Sequence, residues 1–286
     1  ILGILGGAVW LLLSRGSGAG ASSDQLALVP RDAGAFGTAW VAEIWAGKPF
    51  EKVRRTFGER LDAAMKENLG LTLADIDRVT LVFGRLDFFD FRPDAVPDIW
   101  VVIHTRTPVD QDKLLKLIPE RREGKAGGKS YHTSTRGGDD MAALHFASDK
   151  EIWLGTTRSI IGLMDGSRKI APDGALSGSI ALAAAGKPLV VGFQIPAKLR
   201  ADARRGAPAD VLPLFEVTGG TITLDGADAE GRLMFPDAAT AARAEKFIHL
   251  AVDDFRREFA GRGPMRGIEG AFVDPILRLL PCLKIE

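Results

Sequence analysis

The chain has 286 residues, of which 46% are hydrophobic and 26% are charged, and its 37 basic side chains balance its 37 acidic ones. These proportions are those of a folded globular protein and exclude an intrinsically disordered chain. A nucleic-acid-binding protein needs a basic surface that neutralises phosphates, so the zero net charge argues against nucleic acid as a partner.

The first residues have the pattern of a targeting segment. Ile1–Leu13 contains no charged side chain, and the small-residue stretch Gly16–Ser23 follows it. In a soluble core helix, the three glycines among the first seven residues would each cost about 1 kcal/mol relative to alanine. We therefore expect residues 1–23 to be a truncated signal peptide or signal anchor plus linker, cleaved or uncleaved, with the rest of the chain on the extracytoplasmic side of the membrane.

A first α+β unit is predicted over residues 24–170. Its clearest helix begins at Pro49 and ends near Gly70, because apolar residues recur at spacings of three and four on one face; these are Phe50, Val53, Phe57, Leu61 and Met65. The other predicted elements, in chain order, are the strands Ala35–Ala46, Arg78–Leu86 and Asp98–Thr105, the helix Asp110–Ile118, the loop Glu123–Lys129, the strands Ser130–Ser134, Met141–Ala147 and Glu151–Thr156, and the helix Arg158–Met164.

A second α+β unit is predicted over residues 171–286, after a Gly/Ser/Pro-containing boundary at Asp165–Gly174. Its long last helix begins at Asp237, which can cap the first amide groups, and ends near Gly261. The other predicted elements are the helix Leu176–Ala185, the strand Leu189–Ile195, the helix Ala197–Arg205 and the strands Val217–Asp225, Glu230–Phe235 and Leu283–Glu286, the last of them cut short.

The order of elements predicts an α+β fold of mainly antiparallel sheets with helices on one face. Strand, helix, strand, strand, helix occurs once from Ala35 and again from Leu189. This order, followed by another strand, is the split βαβ or ferredoxin-like pattern, so the chain is expected to hold two related βαββα units. A single α+β domain in which the similar order is coincidental is the alternative.

Four histidines are the first candidates for chemistry. His104, His132 and His145 all lie on predicted strands, which makes a three-histidine metal site geometrically conceivable. Their spacing matches no ligand motif, however, and His249 lies among core-facing residues of the last helix. We therefore interpret all four as structural and predict no metal site.

The acidic loop that contains Asp87, Asp90, Asp94 and Asp98 lacks the spacing of a known calcium-binding loop and is interpreted as a solvated connection. Its three phenylalanines are expected to cover the edge of the core or, as an alternative, to contact a partner or a lipid; they are Phe88, Phe89 and Phe91.

No motif for a nucleophile or a phosphate-binding loop occurs. The chain contains no G-x-S-x-G pentapeptide, and Cys282, its only cysteine, has no neighbouring histidine. Gly219-Gly220 and Gly261-Arg262-Gly263 are predicted to be turns. We assign no catalytic, cofactor-binding or metal-binding residue, and we expect no cofactor.

Several segments resemble an uncharacterised bacterial family of membrane-anchored extracytoplasmic proteins, catalogued as a domain of unknown function. The likeness covers about Leu26 to Ile195 and lies in "LVPRDA" from Leu28, "LGLTLADIDRVTLVFG" from Leu69, "VVIHTRTPVDQDKLLKLI" from Val101, "GKSY" from Gly128 and "IWLG" from Ile152. The resemblance implies a location in the cell envelope and transfers no catalytic residue. The long loop Asp87–Asp98 departs from the family's pattern.

The sequence as a whole favours a non-enzymatic envelope protein that acts as an interaction or scaffold module. Its partner would be an unknown protein, and it would meet the membrane through its N-terminal segment. The first alternative is a binder or carrier of an apolar ligand, which would need a cavity between sheet and helices. The second alternative is a hydrolase whose site no motif reveals.

Overall fold

The computed structural model describes residues 26–47, 51, 54–84, 98–135, 142–167, 174–205, 212–225, 228–260 and 283–285. The strands are β1 Ala35–Trp40, β2 Ile76–Phe83, β3 Ile99–Thr105, β4 Arg121–Ala126, β5 Lys129–Ser134, β6 Ala142–Phe146, β7 Glu151–Thr156, β8 Leu189–Gln194, β9 Gly219–Asp225, β10 Asp228–Met234 and β11 Leu283–Ile285. The α-helices are α1 Val41–Ala46, α2 Glu59–Leu69, α3 Gln111–Leu115, α4 Thr157–Met164, α5 Ser177–Ala184, α6 Ala197–Arg204 and α7 Ala238–Ala260.

All of these strands belong to one sheet in the order β11-β10-β9-β8-β1-β2-β3-β7-β6-β5-β4. Every neighbouring pair is antiparallel except β10 and β11, which are parallel. The predicted α+β class with mainly antiparallel strands is therefore confirmed. The two predicted units meet where β1 pairs with β8, so their strands continue one another in a single sheet.

The split βαβ strand order is wrong, although strand, helix, strand, strand and helix follow one another as expected from β1 and again from β8. In each half the first three strands pair in sequence, β1-β2-β3 and β8-β9-β10, whereas a split βαβ unit separates its first two strands. The reason lies in the connections. Helices α1 and α2, a π-helical turn and a 3₁₀ turn join β1 to β2, and α6 and a 3₁₀ turn at Leu212–Glu216 join β8 to β9. Each connection returns the chain to the end at which the preceding strand finished, so the next strand pairs antiparallel with it.

Helices pack on both faces of the sheet, which corrects the expectation of helices on one face. Because successive strand residues point to opposite faces, each strand feeds two cores. The front face, defined by Phe36, Val82 and Trp100, packs against α4 and α5. The back face, defined by Ala39, Leu81 and Val101, packs against α1 and α2, and further along the sheet against α3.

The predicted strand Ala35–Ala46 ends at Trp40, and its second half is helix α1. Ile44 and Trp45 of α1 are buried in the back-face cluster, which a strand continuing past the sheet would not reach. The last carbonyls of α1 are satisfied by the Arg54 guanidinium, which donates to the oxygens of Trp45 and Gly47. Packing of this short segment therefore overrides its strand-like composition.

The predicted helix that ends near Gly70 is confirmed at its C-terminus, where Gly70 adopts a left-handed conformation with φ of 75°. Its expected apolar face is wrong at Phe57, which is 57% exposed. Residues Arg54–Gly58 form a turn of π-helix, which has more residues per turn than an α-helix. Phe57 is therefore turned away from the helix face on which Leu61 and Met65 pack against the back of the sheet. Phe50 and Val53 lie outside the described residues.

Whether the two halves superpose, as duplication requires, stays a prediction. None of the helices in the described ranges is both long enough and apolar enough to cross a bilayer. The segment 1–23, on which the prediction of a targeting signal rests, lies outside those ranges.

Candidate binding cleft at the end of the sheet

The last two strands of the sheet form a hairpin where the sequence predicted a loop. The prediction that Glu123–Lys129 is a loop is wrong, because Arg121–Ala126 is strand β4. Ala126 pairs with Lys129, and the two residues between them, Gly127 and Gly128, both have positive φ, of 53° and 75°. Two positive φ angles in a two-residue connection suit a tight β-hairpin, and glycine adopts them without strain.

The hairpin presents one arginine to the front face and one to the back. Tyr131 of β5 belongs to the front-face cluster and pairs with Gly124, and Thr133 pairs with Arg122. Arg122 therefore faces the front, whereas its neighbour Arg121 faces the back. Gly124 leaves the space that the Tyr131 ring occupies, because a Cβ atom at position 124 would lie 2.4 Å from the ring's Cζ.

Helix α4 forms the opposite wall. It begins where the Thr156 side chain accepts a hydrogen bond of 3.2 Å from the Ser159 amide. Ile160 and Leu163 anchor the helix in the front-face core, with 0% and 7% of their surfaces exposed. The exposed Arg158 lies on another side of the helix, beside the hairpin.

Between α4 and the hairpin lies a cleft with a volume of about 500 Å³. Its lining includes two arginines, Arg122 and Arg158, with Ile161 and Gly162 of α4. The remaining lining residues carry hydroxyl groups and are Tyr131, Thr133, Ser134, Thr135, Thr157 and Ser167. The volume is that of a ligand pocket, but the lining is polar where such pockets are usually apolar.

Hydrogen bonds hold several of these hydroxyls in place. Thr133 lies 3.3 Å from Thr157 across the cleft, oxygen to oxygen, and also donates to the carbonyl of Ala142. Ser134 donates to the carbonyl of Pro119 over 2.8 Å. The hydroxyls thus tie β5 to α4 and fix the shape of the cleft.

The cleft carries positive charge. Among the described residues, its lining includes two arginines and no acidic residue, a formal charge of +2. The Glu120 carboxylate, which is outside this lining, accepts a hydrogen bond of 3.2 Å from the lining residue Thr135. Arginine presents several donors in a planar fork, so this lining suits anionic oxygen ligands.

Most of the described lining residues carry hydrogen-bonding groups. A serine or threonine nucleophile needs a neighbouring base, and among the lining residues that the structure describes there is no histidine, lysine or carboxylate. Across the described residues, no group of three or more His, Cys, Asp or Glu side chains is placed to hold a metal ion. The arginine and hydroxyl groups of the lining are suited to hydrogen bonding with a polar, negatively charged ligand.

The strand histidines do not meet. His104 and His145 project from the front face, whereas His132 projects from the back, where its ring lies 6.3 Å from that of Phe146. His104 lies opposite Arg78 and Glu151 in the sheet, with its Nδ1 3.6 Å from Asp77. The side chain of His249 lies outside the described residues.

His145 has a structural environment. Its Nδ1 lies 2.7 Å from the carbonyl oxygen of Ser130, and its ring meets that of Trp153 edge-on at 5.0 Å between centroids. The side chain of Trp153 in turn donates to Glu151 over 2.7 Å. Burial lowers the pKa of His145 below its ordinary value, because a charged imidazole is poorly solvated there.

We expect acid to destabilise the fold through this histidine. Because the pKa of His145 is lower in the folded chain than in the unfolded chain, the unfolded state binds more protons below about pH 6.5. The free energy of unfolding should fall from pH 7.5 to 5.5, by at most about 1.4 kcal/mol for this group. His132, whose pKa burial also lowers, adds a second contribution.

Urea unfolding of the wild type and of His145→Asn at the two pH values measures this effect. Asparagine keeps a donor toward Ser130 and cannot titrate, so the variant should lose less stability on acidification. An equal loss in both proteins would show that His145 does not titrate between the folded and unfolded states.

The remaining sequence candidates are structural or lie outside the described residues. Asp98 accepts a hydrogen bond from Ser159 at the start of α4. Gly219-Gly220 is not a turn but the start of β9, where a Cβ at either position would lie 2.6 Å from a carbonyl oxygen of a neighbouring strand. The other residues of the acidic loop, the three phenylalanines, Gly261–Gly263 and Cys282 lie outside the described ranges.

Sequence reasoning did not find the cleft. Arg122 fell next to a predicted loop and Arg158 in a predicted helix, and only the pairing of β4 to β7 brings them to one site. The Gly127-Gly128 pair was the available signal for a hairpin. Comparison of the chain with protein-family models, with curated proteins and with solved structures finds no match.

Proposed function

We propose that this protein is a non-enzymatic interaction module of the cell envelope that binds a partner through the cleft between α4 and the β4–β5 hairpin. The observation that carries the proposal is the lining, with two arginines and six hydroxyl side chains around about 500 Å³ and, among its described residues, no base to activate a hydroxyl. Such a lining supports recognition of a ligand better than its chemical conversion, which needs a nucleophile paired with a base.

The structure lends less support to a carrier of apolar ligands. Such a carrier needs an apolar cavity between sheet and helices. On the front face that space is filled by large side chains, among them Trp100, Phe36 and Ile160, each 1% exposed or less. The cleft beside it is polar, so an apolar ligand would displace water from its arginines and hydroxyls without replacing the hydrogen bonds that this water makes.

The envelope location rests on the apolar run Ile1–Leu13, the small-residue linker and the family resemblance. We expect residues 1–24, fused together with whatever coding sequence precedes them to a reporter active only outside the cytoplasm, to direct its export. A reporter retained wholly in the cytoplasm would remove the basis for the location.

Native mass spectrometry of the protein purified from its own envelope tests the binding function. We expect a retained protein partner that the double variant Arg122→Glu, Arg158→Glu loses and that Arg121→Glu, altered on the opposite face, keeps. Retention of an apolar small molecule, or of the same partner by wild type and double variant alike, would contradict the proposal.

A further inference from the structure

We propose that the partner segment is an extended, acidic stretch of polypeptide that adds as a strand to the outer edge of β4 and places carboxylates in the cleft. The inference rests on the proposed binding function and names the chemistry of its ligand. Two separate features carry it, the position of β4 in the sheet and the charge around the cleft.

Strand β4 is the last in the order of the described strands, with β5 as its neighbour on one side. It runs for six residues, Arg121–Ala126, in regular antiparallel register with β5. In such a pair, alternate residues of the edge strand direct their amide and carbonyl groups away from the sheet. An added strand bonds to those groups, which is a common mode of peptide recognition.

The charge around this edge selects an acidic segment. Strand β4 carries Arg121, Arg122 and Lys125 against one acid, Glu123, a net formal charge of +2. Arg158 of α4 adds another positive charge across the cleft. Since residues of an added strand alternate between faces, every second side chain of the segment would point to the front, toward Arg122 and Arg158.

The front of β4 presents polar groups to such side chains. Beyond Arg122 the next front-facing position is Gly124, and the Tyr131 ring lies over it, with the hydroxyl oxygen 2.5 Å from where a Cβ atom of residue 124 would stand. Carboxylates of the added strand would therefore meet the guanidinium groups of Arg122 and Arg158 and the Tyr131 hydroxyl rather than an aliphatic surface. Ionised acceptors form the shorter and stronger hydrogen bonds with arginine.

Charges on β4 could instead protect the sheet, because lysine and arginine on an edge strand discourage pairing between edges. An acidic extended peptide distinguishes the two roles: it binds if β4 is a docking edge, and it does not bind if the charges only protect the edge. A third reading, an anion site without strand addition, requires the carboxylates but not the backbone of the peptide.

Fluorescence anisotropy with the full chain separates these readings. The probe is an acetylated and amidated nine-residue peptide of alternating threonine and glutamate, so that all carboxylates lie on one face of a strand. Its controls are the same peptide with glutamine for glutamate, and one with N-methylated amides on the edge that would pair with β4. We expect binding of the glutamate peptide alone.

Two arginine variants locate the peptide. Arg122→Gln should weaken binding about tenfold, as expected for loss of a charge-assisted pair. Arg121→Gln, at the adjacent position on the opposite face, should weaken it less than threefold. Circular dichroism and the urea midpoint of each variant confirm that the fold is intact, and slower amide exchange in β4 with the peptide bound reports strand addition directly.

Three results would overturn the inference: no binding of the glutamate peptide up to 1 mM, equal binding of the glutamine or N-methylated peptide, or a larger effect of Arg121→Gln than of Arg122→Gln. None of these three results changes what native mass spectrometry shows about the binding function. Failure of the acidic strand and failure of the binding function are thus distinguishable.

Discussion

Replacing Trp100 with alanine should lower the free energy of unfolding by about 3–5 kcal/mol. The Trp100 side chain is fully buried near the start of β3, where it packs with Phe36, Val82 and Ile160 of the front-face cluster. Alanine removes the whole indole and leaves a cavity that the rigid strands on either side cannot close. The loss combines the transfer free energy of the ring with the cost of that cavity.

Urea unfolding at pH 7.5 measures the effect. Phe57→Ala is the matched control, because it also removes an aromatic ring, from a side chain that is 57% exposed. The control should change the free energy of unfolding by less than about 0.5 kcal/mol. A loss below about 1 kcal/mol for Trp100→Ala would contradict the packing described for the front face.

Gly124→Ala should damage stability and the cleft together. A Cβ atom at this position would lie 2.4 Å from Cζ and 2.5 Å from the hydroxyl oxygen of Tyr131. The ring must therefore move, and forced repacking of this kind costs about 1–3 kcal/mol. Because Tyr131 lines the cleft, we also expect weaker binding of the glutamate peptide.

Gly178→Ala is the control, with an expected change in stability of opposite sign. Gly178 lies exposed in α5, and no atom lies within 4 Å of the place that a Cβ atom would take. Alanine should therefore stabilise the helix by up to about 1 kcal/mol. Thermal unfolding and anisotropy of both variants give the comparison. If Gly124→Ala unfolds and binds like the wild type, the Tyr131 ring does not occupy the place described.

Most helix ends could be predicted from the sequence, because the groups that end or begin a helix lie within a few residues of one another. Gly70 ends α2 in the left-handed region, Asp110 accepts the Lys113 amide at the start of α3, and Asp237 does the same for Thr240 before α7. In each case a side chain or a glycine satisfies groups within a few residues, so the sequence alone reveals the boundary.

Features that depend on distant packing were not predictable in this way. The turn into α1 after Trp40 depends on back-face contacts of Ile44 and Trp45 with residues such as Leu73 and Ile76. The antiparallel order of β1-β2-β3 depends on how the helical connection between β1 and β2 returns the chain. The cleft depends on the pairing of β4 to β7, because only that order of strands brings Arg122 and Arg158 to one site.

Photo-crosslinking in intact cells tests the central claim, that the cleft is where this protein binds its partner. A photoreactive residue in place of Ser167, an exposed position that lines the cleft, should yield a covalent adduct with an envelope protein. The same residue in place of Glu67, exposed on α2 of the back face, should yield none, and Arg122→Glu should abolish the adduct from position 167. Adducts that form equally from both positions, or that persist unchanged in the Arg122→Glu background, would contradict the account.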